Sequence, residues 1–61
     1  SAREFEVLRL LVRGEPIKDI AKTLGLTPKT VANHQSAIKQ KLGADSAVQL
    51  LRIASQLGID P

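Results

Sequence analysis

A chain of 61 residues with a net charge of +3, no cysteine and one aromatic residue has room for a single small domain, with no disulfide or thiolate metal site to staple it. No apolar run approaches the roughly 18–20 residues that span a membrane, no signal peptide is visible, and one histidine leaves no metal cluster and no pair for covalent catalysis. What remains is a binding module, not an enzyme, with a core of Leu, Ile, Val and Ala suited to an all-α, four-helix bundle.

The first helix opens on S-A-R-E, a capping box with Ser1 as N-cap and Glu4 reaching back. Phe5, Leu8, Leu11 and Val12 follow at helical spacing and are expected to face the core, and Gly14 ends the helix. Arg13 in the last turn suits the helix dipole. Pro16 is expected at the first position of the second helix, whose Ile17, Ile20, Ala21 and Leu24 form one apolar stripe at i, i+3, i+4 and i+7.

Gly25 stops the second helix, because it can take the left-handed conformation that satisfies the last carbonyls. Thr27 is placed to N-cap a third helix, Pro28 suits its first turn, and Leu26 and Val31 occupy the two positions of a hydrophobic staple. Ala21 four residues before the glycine and Val31 six after it supply the small residue and the apolar peg that two steeply crossing helices need. Together these features predict a helix-turn-helix over Ile17 to Ser36.

The third helix is expected from Pro28 to about Leu42, with Gly43 as its stop and Val31, Ile38 and Leu42 toward the core. His34 or Gln35 fills the intervening turn, and His34 reads as a packed residue rather than a base. Lys29, Ala32, Asn33, Ser36 and Gln40 fall on the opposite face. From Ile20 to Ala44 there is no Asp or Glu, while Lys22, Lys29, Lys39 and Lys41 lie inside, a field of one sign suited to phosphates.

The fourth helix begins near Ser46, capped by Asp45 or Ser46, and ends at Gly58. Leu50, Leu51, Ala54 and Leu57 are expected to pack inward, leaving Val48, Ile53 and Ser55 outward. That is more apolar surface than one inward face uses, and it asks for a partner. The four glycines are isolated helix stops rather than a phosphate loop, so neither a cofactor nor a metal is implied.

The motifs R-E-x-E-V-L at Arg3–Leu8, I-A-x-x-L at Ile20–Leu24, T-P-K-T-V-x-x-H at Thr27–His34 and K-L-G at Lys41–Gly43 resemble those of the LuxR/FixJ-type helix-turn-helix domain. That domain is the output part of many bacterial response regulators and quorum-sensing activators, and the resemblance runs from Ser1 to about Ala54. It implies a third helix laid in the major groove of double-stranded DNA and a homodimer through the fourth helix, expected to be weak. Carried over by position, the DNA contacts fall on Lys18, Lys29, Thr30, Ala32, Asn33, Ser36 and Lys41. The dimer contacts fall on Val48, Leu51, Arg52 and Ser55. Two positions depart from the family: Ala32 stands where a lysine is common, and Ala47 where an arginine is usual.

The chain, which begins at Ser1 and lacks methionine, is expected to be one domain, 1–61, of a longer cytoplasmic regulator. A two-component response regulator is the expected type, with RNA polymerase as a further partner. Two other readings share the motif: a helical protein-interaction module, and the DNA-contacting region of a sigma factor.

Overall fold

Four helices form in the computed structural model, which describes residues 2–59: α1 (Ala2–Val12), α2 (Ile17–Leu24), α3 (Pro28–Leu42) and α4 (Ala47–Gln56). No strand occurs among the described residues. The expected Ser1 cap lies outside them.

Every helix stops in the same way. The amide just past the stop bonds back five residues, Leu26 N–H to the Ala21 carbonyl at 2.8 Å and Ala44 N–H to the Lys39 carbonyl at 2.8 Å. This double-bonded ending needs a residue at positive φ. Gly25, at φ 69°, meets that need in the turn between α2 and α3. Thr27 then caps α3 through its side chain, accepting from the Thr30 amide at 3.2 Å, and Pro28 stands at the start of that helix. Pro16 departs slightly from expectation. It is the extended residue just before α2, with φ −64° and ψ 152°, rather than its first helical residue.

The core is a single cluster with contributions from all four helices: Val7 and Leu8, Ile20 and Ala21, Val31 and Ile38, and Leu50 and Ala54. No polar side chain is buried among the described residues. Each large aliphatic buried there contributes roughly 1.5–3 kcal/mol. The core therefore depends on fit between four short helices rather than on a polar network.

Two apolar expectations are corrected. On α1, Val7 is fully buried while Phe5 is 51% exposed. The inward stripe runs Glu4, Val7, Leu8, Leu11, which has the same i, i+3, i+4, i+7 spacing in a different phase. A glutamate opens that stripe because its carboxylate meets Lys41 of α3 at 2.7 Å, so the apolar pattern alone points to the wrong phase. On α4, Leu51 and Leu57 are exposed and Ile53 is half-buried. Leu50, Ile53 and Ala54 form the inward stripe. Leu57 lies past the last helical residue, Gln56, beside the outer edge of α1.

The start of α4 is also better sealed than expected. Ser46 is the N-cap, its hydroxyl accepting from the Gln49 amide at 3.1 Å. The Gln49 side-chain oxygen Oε1 in turn accepts from the Asp45 amide. This resembles a capping box, with the Gln49 side chain reaching back to the amide one residue before the cap rather than to that of Ser46 itself.

Candidate nucleic-acid interface

The turn chemistry fixes how α3 is presented. Capped by Thr27 and pegged by Val31 and Ile38, which are buried, the helix turns the side opposite those pegs outward. Successive residues are about 100° apart around a helix. Lys29, Asn33, Ser36 and Gln40 therefore cluster within about 60° of one another on that side, and all four are exposed. Ala32 lies at the margin and is half-buried.

Thr30 lies nearer the other margin, half-buried, with its side chain engaged in the cap: the Thr27 hydroxyl donates to the Thr30 hydroxyl at 3.0 Å. The Thr30 hydroxyl proton remains able to reach outward. Lys18 is exposed on α2, in the same i, i+4 row as the exposed Lys22. Lys22 belongs to the acid-free lysine window and, by this spacing, extends the Lys18 row.

Lys41 has a different setting. It sits about 100° around α3 from the centre of the exposed face, and its ammonium donates to Glu4 Oε1 of α1 at 2.7 Å. The pair is solvent-facing on the lysine side and sheltered on the carboxylate side, 63% against 16% exposed. The Lys41 hydrogen bond, opposed by partial burial, holds the Glu4 carboxyl below its ordinary value. The carboxylate-free stretch from Ile20 to Ala44 thus receives one acid from outside it, at its far end. The rest of the outward face of α3 has no ion pair among the described residues.

The four residues expected at a dimer contact also share a side. Val48, Leu51, Arg52 and Ser55 are all exposed and fall within about 100° on α4, opposite Leu50 and Ala54. Val48 is 65% exposed. Ala47, where an arginine is usual, is exposed as well.

No group of three His, Asp or Glu side chains able to hold a metal occurs among the described residues. None of their helices is long and apolar enough to cross a membrane.

Comparison with known families adds the deciding observation: the model of bacterial regulatory proteins of the luxR family matches residues 1–54. The chain belongs to that family. This luxR-family domain is 42% identical over 57 residues, 93% of its length, to the transcriptional regulatory protein MctR of Rhizobium johnstonii, of which it covers 27%. It is 43% identical to the virulence factors putative positive transcription regulator BvgA of Bordetella pertussis, over 92% of this chain and 27% of that protein. It is 44% identical to the transcriptional regulatory protein UhpA of Escherichia coli K12, over 82% of this chain and 26% of that protein. The chain spans about a quarter of the length of these curated relatives. No solved structure matches it.

Family membership makes the helix-turn-helix a DNA-binding output module of transcription regulation. The readings as a protein-interaction module alone and as a sigma-factor region fall away. The luxR-family match ends at Ala54, inside α4, so it takes in the whole of α1 to α3.

Proposed function

We propose that α3 enters the major groove of double-stranded DNA with Lys29, Asn33 and Ser36 toward it, and that this domain selects its target sequence there. The observation that carries the reading is the outward face from Lys29 to Gln40, exposed, small or amide-bearing, and free of carboxylates. Asn33 offers the bidentate pairing that suits adenine, and Lys29 suits guanine acceptors or a phosphate. Lys18 on α2 and the Thr30 hydroxyl serve the phosphate backbone, which positions without specifying. Ala32 is a short apolar contact, suited to a thymine methyl. Lys41 contributes its charge at the edge of the duplex, shared with Glu4.

The domain acts as the output part of a longer cytoplasmic regulator of the two-component kind, with RNA polymerase as a further partner. Two copies pair weakly through Val48, Leu51, Arg52 and Ser55, presenting recognition helices about 34 Å apart on an inverted repeat. The outward side of α4 supports this, because its apolar surface has no neighbour within the domain.

A salt titration of duplex binding tests the reading. Lys29→Gln weakens binding to all sequences alike and lowers the slope of log affinity against log salt by about 0.9. Lys41→Gln lowers it by less, because Glu4 already shares that charge. An unchanged slope in Lys29→Gln removes Lys29 from the phosphate contacts.

A further inference from the structure

α1 carries a second exposed feature that DNA binding does not use. Phe5 and Arg9 of α1, with Arg13 in the turn that follows it, stand at i, i+4 and i+8, a ridge turned from the core and continued into the turn by the Arg13 N–H bond to the Arg9 carbonyl at 3.1 Å. All three are exposed, and Phe5 is the only aromatic residue of the chain. The ridge borders an open groove of about 240 Å³ between α1 and α2, lined also by Leu10, Thr23 and Leu24 and by one acid, Glu6. On its other side, Phe5 borders an apolar cleft of about 230 Å³ that reaches Leu42 and Leu57.

The charges along this ridge are not balanced internally. Glu6 is engaged by Arg3 at 3.6 Å. Neither Arg9 nor Arg13 has an ion-pair partner among the described residues. An exposed phenylalanine between a mixed groove and an apolar cleft, followed by two guanidinium groups with no ion-pair partner among the described residues, combines residue types that dominate binding energy at protein interfaces. Guanidinium pairs are suited to forked contact with carboxylates.

The groove also lies away from the proposed DNA side. Thr23, on its edge, is about 140° around α2 from Lys18. A duplex held by Lys18 and α3 leaves the groove uncovered.

We propose that the α1–α2 groove docks an acidic, amphipathic segment of a partner protein, an apolar side chain entering beside Phe5 and carboxylates meeting Arg9 and Arg13. The charge complementarity is what selects this occupant: an apolar segment without acids would leave both arginines unpaired, and a basic one would be repelled. The proposal draws on the DNA-binding reading only for which side of the domain stays free.

The test is selection from a displayed library of random 16-residue peptides on the immobilised 61-residue chain, with and without excess random duplex. The expected result is enrichment, in both arms, of peptides pairing Asp or Glu with apolar residues at helical spacing. Their affinity then falls about tenfold for Arg9→Gln/Arg13→Gln and for Phe5→Ser. It is partly kept in Arg9→Lys/Arg13→Lys and unchanged in Lys29→Gln. All the substituted side chains are exposed, and circular dichroism verifies that each variant is folded.

Three results overturn the proposal. One is the absence of enrichment, or enrichment of uncharged peptides indifferent to the arginines. Another is loss of binding in Lys29→Gln or under excess duplex, which means that acidic peptides only imitate DNA on α3. The third is weaker duplex binding with a reduced salt slope in Arg9→Gln/Arg13→Gln, which assigns the arginines to phosphates.

Discussion

The outward sides of α3 and α4 are built on the same plan and end in opposite surfaces. Each helix is fixed at its start by a side-chain cap, Thr27 or Ser46, and each buries two residues in the shared core. Outward, α3 offers Lys29, Asn33, Ser36 and Gln40, whereas α4 offers Val48, Leu51, Arg52 and Ser55. A polar, acid-free face keeps its cost of exposure low and finds its partner in a charged, hydrogen-bonding groove. A face holding an exposed valine and leucine loses free energy in water, and the proposed pairing with a second copy would recover it. One small fold thus presents two faces of opposite character by which residues point away from a common core.

The contrast breaks most completely if that core fails. Ile20 is fully buried at the centre of the helix-turn-helix, and Ile20→Ala is expected to cost roughly 2–5 kcal/mol. A 61-residue domain has little surplus stability, so DNA binding and pairing are lost together. Urea denaturation beside both binding assays checks this. Loss of one activity at full stability would mean that the two faces do not share a core.

A charge on the apolar face sharpens the contrast. Val48→Asp leaves folding intact and removes the second copy from a palindromic duplex, reducing affinity about tenfold or more through lost avidity. Sedimentation of the free chain and of the complex gives the stoichiometry. The free chain is expected to be mostly monomeric at micromolar concentration. A one-to-one complex on a full palindrome, unaltered by the substitution, would end the dimer reading.

The smallest effect concerns the tie between α1 and α3. Glu4 has a lowered carboxyl value, chiefly through the Lys41 hydrogen bond. Its contribution to stability is complete above the ordinary glutamate value of about 4.3 and is lost as pH falls through the lowered folded value. Glu4→Gln therefore lowers stability slightly at pH 7, where the contribution is complete, and converges on the parent chain as pH falls through the folded value, which flattens the acid limb. A pH series of denaturation midpoints measures it, and an acid limb identical to that of the parent chain would show that the pair adds no stability.

How much could be read from the residues divides along similar lines. The α2–turn–α3 unit was legible almost to the residue, because Gly25, Leu26, Thr27, Pro28 and Val31 each act within a turn of where they stand. The α3 boundaries, Pro28 and Leu42, coincide with expectation. The phases of α1 and α4 were legible only in part: Leu8, Leu50 and Ala54 are buried as expected, whereas Phe5, Leu51 and Leu57 are exposed. A helix with several apolar residues offers more than one stripe, and the choice is made by neighbours distant in sequence. Val7 and Leu8 fill the core against the other three helices, and Glu4, in phase with them, is accommodated at the margin by Lys41. Leu57 is in phase with Leu50 but lies past the end of α4, where no element covers it.

The family resemblance supplied residue roles on α3 and α4 that spacing alone does not assign. The structure adds that Lys29, Asn33 and Ser36 stand together on one exposed face, while Lys41 stands apart with Glu4.

The central claim is that this face of α3 reads sequence, and one comparison tests it most directly. Duplexes recovered by selection from a random pool give a preferred site, and the affinities of the parent chain and of Asn33→Ala are then measured on that site and on scrambled DNA. The account predicts a loss of about 1–3 kcal/mol on the preferred site and almost none on scrambled DNA. An equal loss on both would contradict it, leaving Asn33 to serve the backbone or the fold.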